Sequence, residues 1–118
     1  MTSPQTHMYR DHRKLWKAET RIKLGDGWQL DISTRKAENG ELITSASIGK
    51  LERGFVTHRV FTDYSRRVFR KTARCTEKNI ETQHKEALAL IDQIMADVRA
   101  HYDAIGETIP DPEQPIAA

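Results

Sequence analysis

Five histidines, one cysteine and a scatter of carboxylates are the groups in this 118-residue chain that could hold a metal or attack a bond, and their spacing suits neither task. His7 and His12 fall in a polar N-terminal stretch, and His84 and His101 sit seventeen residues apart in one helical pattern. His58 lies on the inward row of a predicted strand. No Cys/His cluster has the spacing of a zinc site. Asp92, Asp97 and Asp103 read as the solvated side of a helix. There is no Gly-x-Ser-x-Gly, no Gly-x-x-x-x-Gly-Lys and no His-Glu-x-x-His. Gly25-Asp26-Gly27 joins two strands instead of opening a helix, so it is not a phosphate loop. The expectation is a protein that is not an enzyme, with no catalytic residues, no metal and no cofactor.

Cations interleaved with aromatic rings are the chemistry the sequence does offer. Arg21, Lys23, Arg35, Phe55, Arg59 and Phe61 are expected on one sheet face, with small Ser45, Ser47, Gly49 and Thr57 between them. Arg66, Arg67, Arg70, Lys71 and Arg74 follow closely. Basic groups meet phosphates, and rings stack on unpaired bases, which points to single-stranded DNA or RNA as the partner. The charge is unevenly spread. Residues 1–75 hold 16 Lys/Arg against 8 Asp/Glu, and residues 76–118 hold 3 against 9, so a net +8 and a net −6 make the overall +2. Two readings fit this split: a face suited to an anionic partner, or a basic sheet neutralised by the molecule's own acidic helix.

Period-2 alternation places these side chains. Trp16, Ala18, Thr20, Ile22 and Leu24 share one row and Lys17, Glu19, Arg21 and Lys23 the other. Trp28, Leu30, Ile32 and Thr34 repeat the pattern, as do Leu42, Thr44, Ala46 and Ile48. Such rows are half-buried strands of an antiparallel sheet. Gly25-Asp26-Gly27, Glu38-Asn39-Gly40 and Glu52-Arg53-Gly54 each end in glycine, as a three-residue hairpin loop requires. These loops pair Ile22 with Leu30, Leu30 with Ile48, Ile32 with Ala46 and Thr34 with Thr44. The third loop would pair Ile48 with His58 and Ala46 with Val60. Four strands follow, at about 16–24, 28–37, 41–51 and 55–62, with 66–74 a candidate fifth at the edge.

From Thr76, a fitting N-cap, the period becomes helical. Ile80, His84, Leu88, Ile91, Met95, Val98, Tyr102 and Ile105 make one apolar stripe, and Gly106 is a fitting stop. A single helix over 77–105 would be about 43 Å long and would overhang a sheet about 20–25 Å wide. Either it bends or its end packs on a second copy, giving a homodimer through the helix. Residues 1–13 and 107–118 read as loose tails around one α+β domain at 14–106. No stretch approaches the ~20 apolar residues that cross a bilayer, and no signal-peptide run is seen at the N-terminus. With one cysteine, Cys75, no internal disulfide can form, and the cytoplasm is the expected location, without membrane association.

In element order, four antiparallel strands and then a helix resemble the ββββα modules of PUR-type and Whirly-type single-strand-binding proteins. The resemblance covers residues 16–105. It is carried by the three glycine-ended hairpins, the stretch Phe55-Val56-Thr57-His58-Arg59-Val60-Phe61 and the helix. It implies nucleic-acid binding on the sheet and pairing of modules through helices or sheets. The candidate fifth strand and the absence of a second repeat or a Whirly-like signature depart from that pattern. An interaction module working through the helix is the alternative.

Overall fold

The computed structural model describes residues 5–52, 55–60, 73–104 and 106–113, with 51–52 and 55–60 by their backbone course. Its strands are β1 (Thr6–Arg10), β2 (Trp16–Lys23), β3 (Trp28–Lys36), β4 (Leu42–Glu52) and β5 (Phe55–Val60). Two helices follow, α1 (Glu77–Leu88) and α2 (Ile91–Asp103). The strands form one antiparallel meander in the order β1-β2-β3-β4-β5, and the helices cover one face of it. The four-strand meander expected from alternation is present as β2–β5.

The first two hairpins take the expected register. Ile22 faces Leu30, Leu30 faces Ile48, Ile32 faces Ala46 and Thr34 faces Thr44. A one-residue slip would turn Leu30, Ile32 and Ile48 to water, and all three are buried. Gly40 takes a φ of +87° in the second loop, where a left-handed residue closes the turn. In the first loop Asp26 joins Gly27 in that region, a conformation that aspartate tolerates.

The third hairpin differs. Glu52 pairs with Phe55, so the connection is the two residues 53–54 and not three. Ile48 therefore faces Arg59 instead of His58, and Val60 faces Ser47 instead of Ala46. The shift exchanges the two rows of β5: the register sets Phe55 and Arg59 in the row of Ile48, not in the row of Ser47. Arg53-Gly54 has the glycine that a two-residue hairpin wants at its second place. Neither row of Phe-Val-Thr-His-Arg-Val is cleanly apolar, so alternation held the register only weakly.

β1 occupies a stretch read from sequence as a tail. Asp11 folds the chain back, its carboxylate accepting from the backbone N–H groups of Arg13 and Leu15. Thr6 then bonds Thr20 at 2.7 Å, Met8 packs near Ala18, and Arg10 lies 5.0 Å over the Trp16 ring. Of the candidate strand 66–74, residues 66–72 lie outside the described residues, and 73–74 run into α1 without strand pairing.

The single helix expected over 77–105 is two. At Ala89–Leu90 the backbone leaves the helical path (Leu90 φ −104°, ψ 22°), and Leu90 N–H bonds Ala87 O, one residue tighter than an α-turn. The break keeps both apolar faces on a twisted sheet. The molecule's longest extent is 40 Å, and an unbroken helix of about 43 Å would project past the core. Thr76 caps α1 by accepting from Asn79 N–H at 3.1 Å. Gly106, at φ +80°, ends α2, after which Glu107 N–H returns to Tyr102 O.

Residues 107–113 are also not loose. Ile109 is buried in the main core, Pro112 bridges Leu24, Asp111 O accepts from Gly25 N–H, and Glu113 N–H bonds Lys23 O. Among the described residues, no helix is long and apolar enough to cross a membrane.

Candidate nucleic-acid interface

The sheet face away from the helices carries the odd-numbered residues of β1 to β4. Cross-strand pairing arranges them in rungs. One rung runs His7–Glu19–Ser33 and the next Arg21–Asp31–Ser47. Between these two rungs lies a recess of about 490 Å³, lined by His7, Glu19, Arg21, Asp31, Ser33 and Ser47 together with Thr20 and Ile32. Serines make its floor because larger side chains there would fill it.

The cations expected on this face divide three ways. Arg21 is on it, exposed, and its Nε bonds the Asp31 carboxylate at 3.1 Å. Lys23 is exposed at one end, and Arg35, half-buried, stands at the other, opposite Ile43. Phe55 and Arg59 are in β5, but in the Ile48 row, so the backbone register does not join them to Arg21 and Arg35. Phe61, Arg66, Arg67, Arg70 and Lys71 lie outside the described residues.

His7, Tyr9, Glu19, Asp31 and Ser33 belong to this face and were missed as site residues. Glu19 and Asp31 had a signal: they share the alternation rows of Arg21 and Arg35, where only the cations were weighed. Lys17 bonds Glu19 at 3.1 Å, and Gln29 donates to the second oxygen of Asp31 at 3.0 Å. Among the described residues, four cations (Lys17, Arg21, Lys23, Arg35) against two anions (Glu19, Asp31) give this face a net +2. Lys23 and Arg35 are the cations on it without an ion-pair partner among the described residues. Partial burial pushes the Glu19 carboxyl up. Hydrogen bonds from Lys17 and Tyr9, with the charges of Lys17 and Arg21, outweigh this and hold it below its ordinary value. Burial and the bond to Glu19 raise the Tyr9 hydroxyl.

A second polar cluster lies on the other side, between α1 and the sheet. His84 is 1% exposed. Its Nε2 is 2.7 Å from Thr20 Oγ1 and its Nδ1 is 2.8 Å from Thr34 Oγ1. Thr34 bonds Thr44 at 2.8 Å, and Gln83 Nε2 donates to Leu42 O and Thr44 Oγ1. Burial lowers the imidazole to about 4, against a smaller opposing pull from Glu19. Every partner is an uncharged group of the fold, which makes this a structural histidine. No group of three potential metal ligands occurs among the described residues.

Ile91 and Met95 are buried and Leu88 half-buried within the chain, so the helix stripe is spent on the molecule's own core. No protein-family model, curated protein or solved structure matches this chain. Function must therefore be argued from the face itself. It has a polar recess at its centre and a cation at each end, on adjacent strands. Gln29, which faces Lys23, is six residues from Arg35 along β3, or about 20 Å at ~3.4 Å per residue.

Proposed function

We propose that this chain is a non-enzymatic binding module that lays single-stranded nucleic acid across the open face of its sheet. The observation that carries the reading is the Lys23–recess–Arg35 arrangement: two cations flank a cavity floored by serines. An extended strand suits that layout, with phosphates at the ends and one base in the middle, because unpaired bases can be splayed out and read on their edges. The sequence adds support. Residues 50–74 carry 8 Lys/Arg against 2 Asp/Glu, a supply of charge beyond that of the described face. Four meander strands followed by helix keep the order by which the chain resembles PUR-type and Whirly-type modules. A strand ahead of them and a divided helix depart from it.

Titration of labelled oligonucleotides at two salt concentrations tests the proposal. Affinity is expected to fall as salt rises. Lys23→Ala or Arg35→Ala should reduce the slope of log K against log salt by ~0.7 for each phosphate that the variant no longer neutralises. Absence of binding at low salt would end it.

A further inference from the structure

We infer that the central recess receives the base and not the phosphate, and that it selects a base edge rich in N–H donors, guanine above all. This rests on the single-strand reading and names what that site would recognise. The rungs supply the argument. Arg21 Nε donates to one oxygen of Asp31 and Gln29 Nε2 to the other, so each oxygen of this carboxylate already has a donor. On the neighbouring rung Glu19 faces Ser33 and His7 across the strands. Its carboxylate is held ionised by Lys17 and Tyr9. An ionised carboxylate is acceptor-only, with about four lone-pair sites on its two oxygens, and the bonds from Lys17 and Tyr9 do not exhaust them.

Lys17 and Arg21 are already paired with Glu19 and Asp31, so a phosphate brought between these two carboxylates would gain no unpaired cation there among the described residues, whereas Lys23 and Arg35 each offer one. The phosphates are therefore directed outward, to Lys23 and Arg35. What can enter is an uncharged planar group with hydrogens to give. Thymine and uracil offer one ring N–H, and adenine and cytosine an amino group. Guanine sets N1–H beside its N2 amino group, two donors in line with the two oxygens of a carboxylate. Charge-assisted bonds of this kind are the strong ones, and a carboxylate accepting from a base amino group is an established readout.

The test uses the full chain and thymine oligonucleotides carrying one central guanine, inosine, cytosine or adenine, titrated by fluorescence anisotropy at one fixed salt. Guanine is expected to bind about tenfold tighter than all-thymine, consistent with one good bidentate base contact. Inosine, which keeps N1–H and lacks the amino group, should lose most of that gain. Glu19→Gln should abolish the preference for guanine over all-thymine, since it replaces the ionised carboxylate that accepts from N1–H and the amino group. Ser33→Leu, which fills the recess without touching a charge, should also abolish the preference and leave the salt slope unchanged. Binding of every oligonucleotide with equal affinity, or a guanine preference that survives Glu19→Gln, would overturn this inference and leave the single-strand reading standing. No binding of any oligonucleotide at low salt would overturn both. Capture of an arginine-rich peptide in their place, abolished in Glu19→Gln, would overturn the base assignment and give the recess to a basic partner.

Discussion

Gln83 fixes the sense of a chain of hydrogen bonds through the core. Only its amide nitrogen can face the Leu42 carbonyl oxygen, so Nε2 also donates to Thr44. Thr44 then has one hydrogen to give, to Thr34, and Thr34 gives its own to His84 Nδ1. His84 must carry its proton on Nε2, donating to Thr20, which donates to Thr6 at the exposed edge. Reversing the sequence would leave the buried Thr44 hydrogen without an acceptor, which is costly. Nitrogen NMR of His84 is therefore expected to show the Nε2–H tautomer, and an Nδ1–H ring would contradict the assignment. The pH dependence follows. The imidazole titrates near its ordinary value of 6.5 in the unfolded chain and at about 4 in the folded one. Between those values the unfolded state binds the extra proton, so stability rises with pH across this window and is lost as pH falls through it. The shift corresponds to about 3 kcal/mol. Denaturant titrations from pH 7 to pH 4 should reveal this slope in the native chain and a much flatter one in His84→Gln. The ingredients were legible, since Thr20, Thr34 and Thr44 fall on inward rows and His84 on the helix stripe. Their convergence was not, because alternation assigns a face and says nothing of which helix residue lies over which strand.

At the scale of elements, legibility followed the contrast between the two faces of each strand. Over Trp16–Ile22, Trp28–Thr34 and Leu42–Ile48 every inward position is apolar or threonine, with charged residues entering these rows only beyond, at Lys36, Lys50 and Glu52, and a slipped register would expose Leu30 or Ile48; the loops were readable there. β5 has no such contrast, and its hairpin closed one residue shorter. The short polar β1 was invisible for a related reason: five residues with one half-buried methionine make too weak a row to stand out from a tail. The helix stripe was read correctly as a face and wrongly as one rod, because Ala89 and Leu90 carry no glycine or proline to announce the break. Two substitutions measure what local geometry contributes. Gly40→Ala adds a Cβ that meets nothing within 4 Å, so its cost is the left-handed backbone alone, about 1–2 kcal/mol. Thr76→Ala removes the cap on Asn79 N–H and should cost about 1 kcal/mol. Urea unfolding reads both. A Gly40→Ala protein as stable as the native chain would mean the second loop can adopt another turn.

The molecule as a whole is closed by its C-terminal strap. Residues 107–113 leave α2 at Gly106, cross the first hairpin and pair with the end of β2, along the same edge that β1 occupies nearer the strand's start. Two kinds of contact could hold the strap down, and magnitudes separate them. Arg99 bonds Asp111, but the Asp111 side chain is 88% exposed, and ion pairs so open to water contribute little. Ile109, at 4% exposure, sits in the core cluster with Leu24, Trp28 and Tyr102. Emptying such a site costs about 2–5 kcal/mol, because the surroundings relax only in part. Ile109→Ala should therefore lower stability several-fold more than Asp111→Ala, which is expected to stay within about 0.5 kcal/mol of the native chain. Gly25→Ala offers an independent check, since its new Cβ would stand 3.1 Å from Pro110 Cβ and press the strap outward. Hydrogen exchange at Gly25 and Glu113, whose N–H groups bond across this seam, would then quicken in Ile109→Ala and Gly25→Ala alike and stay protected in Asp111→Ala. Equal protection in all three would mean that backbone pairing alone, without the buried isoleucine, holds the seam.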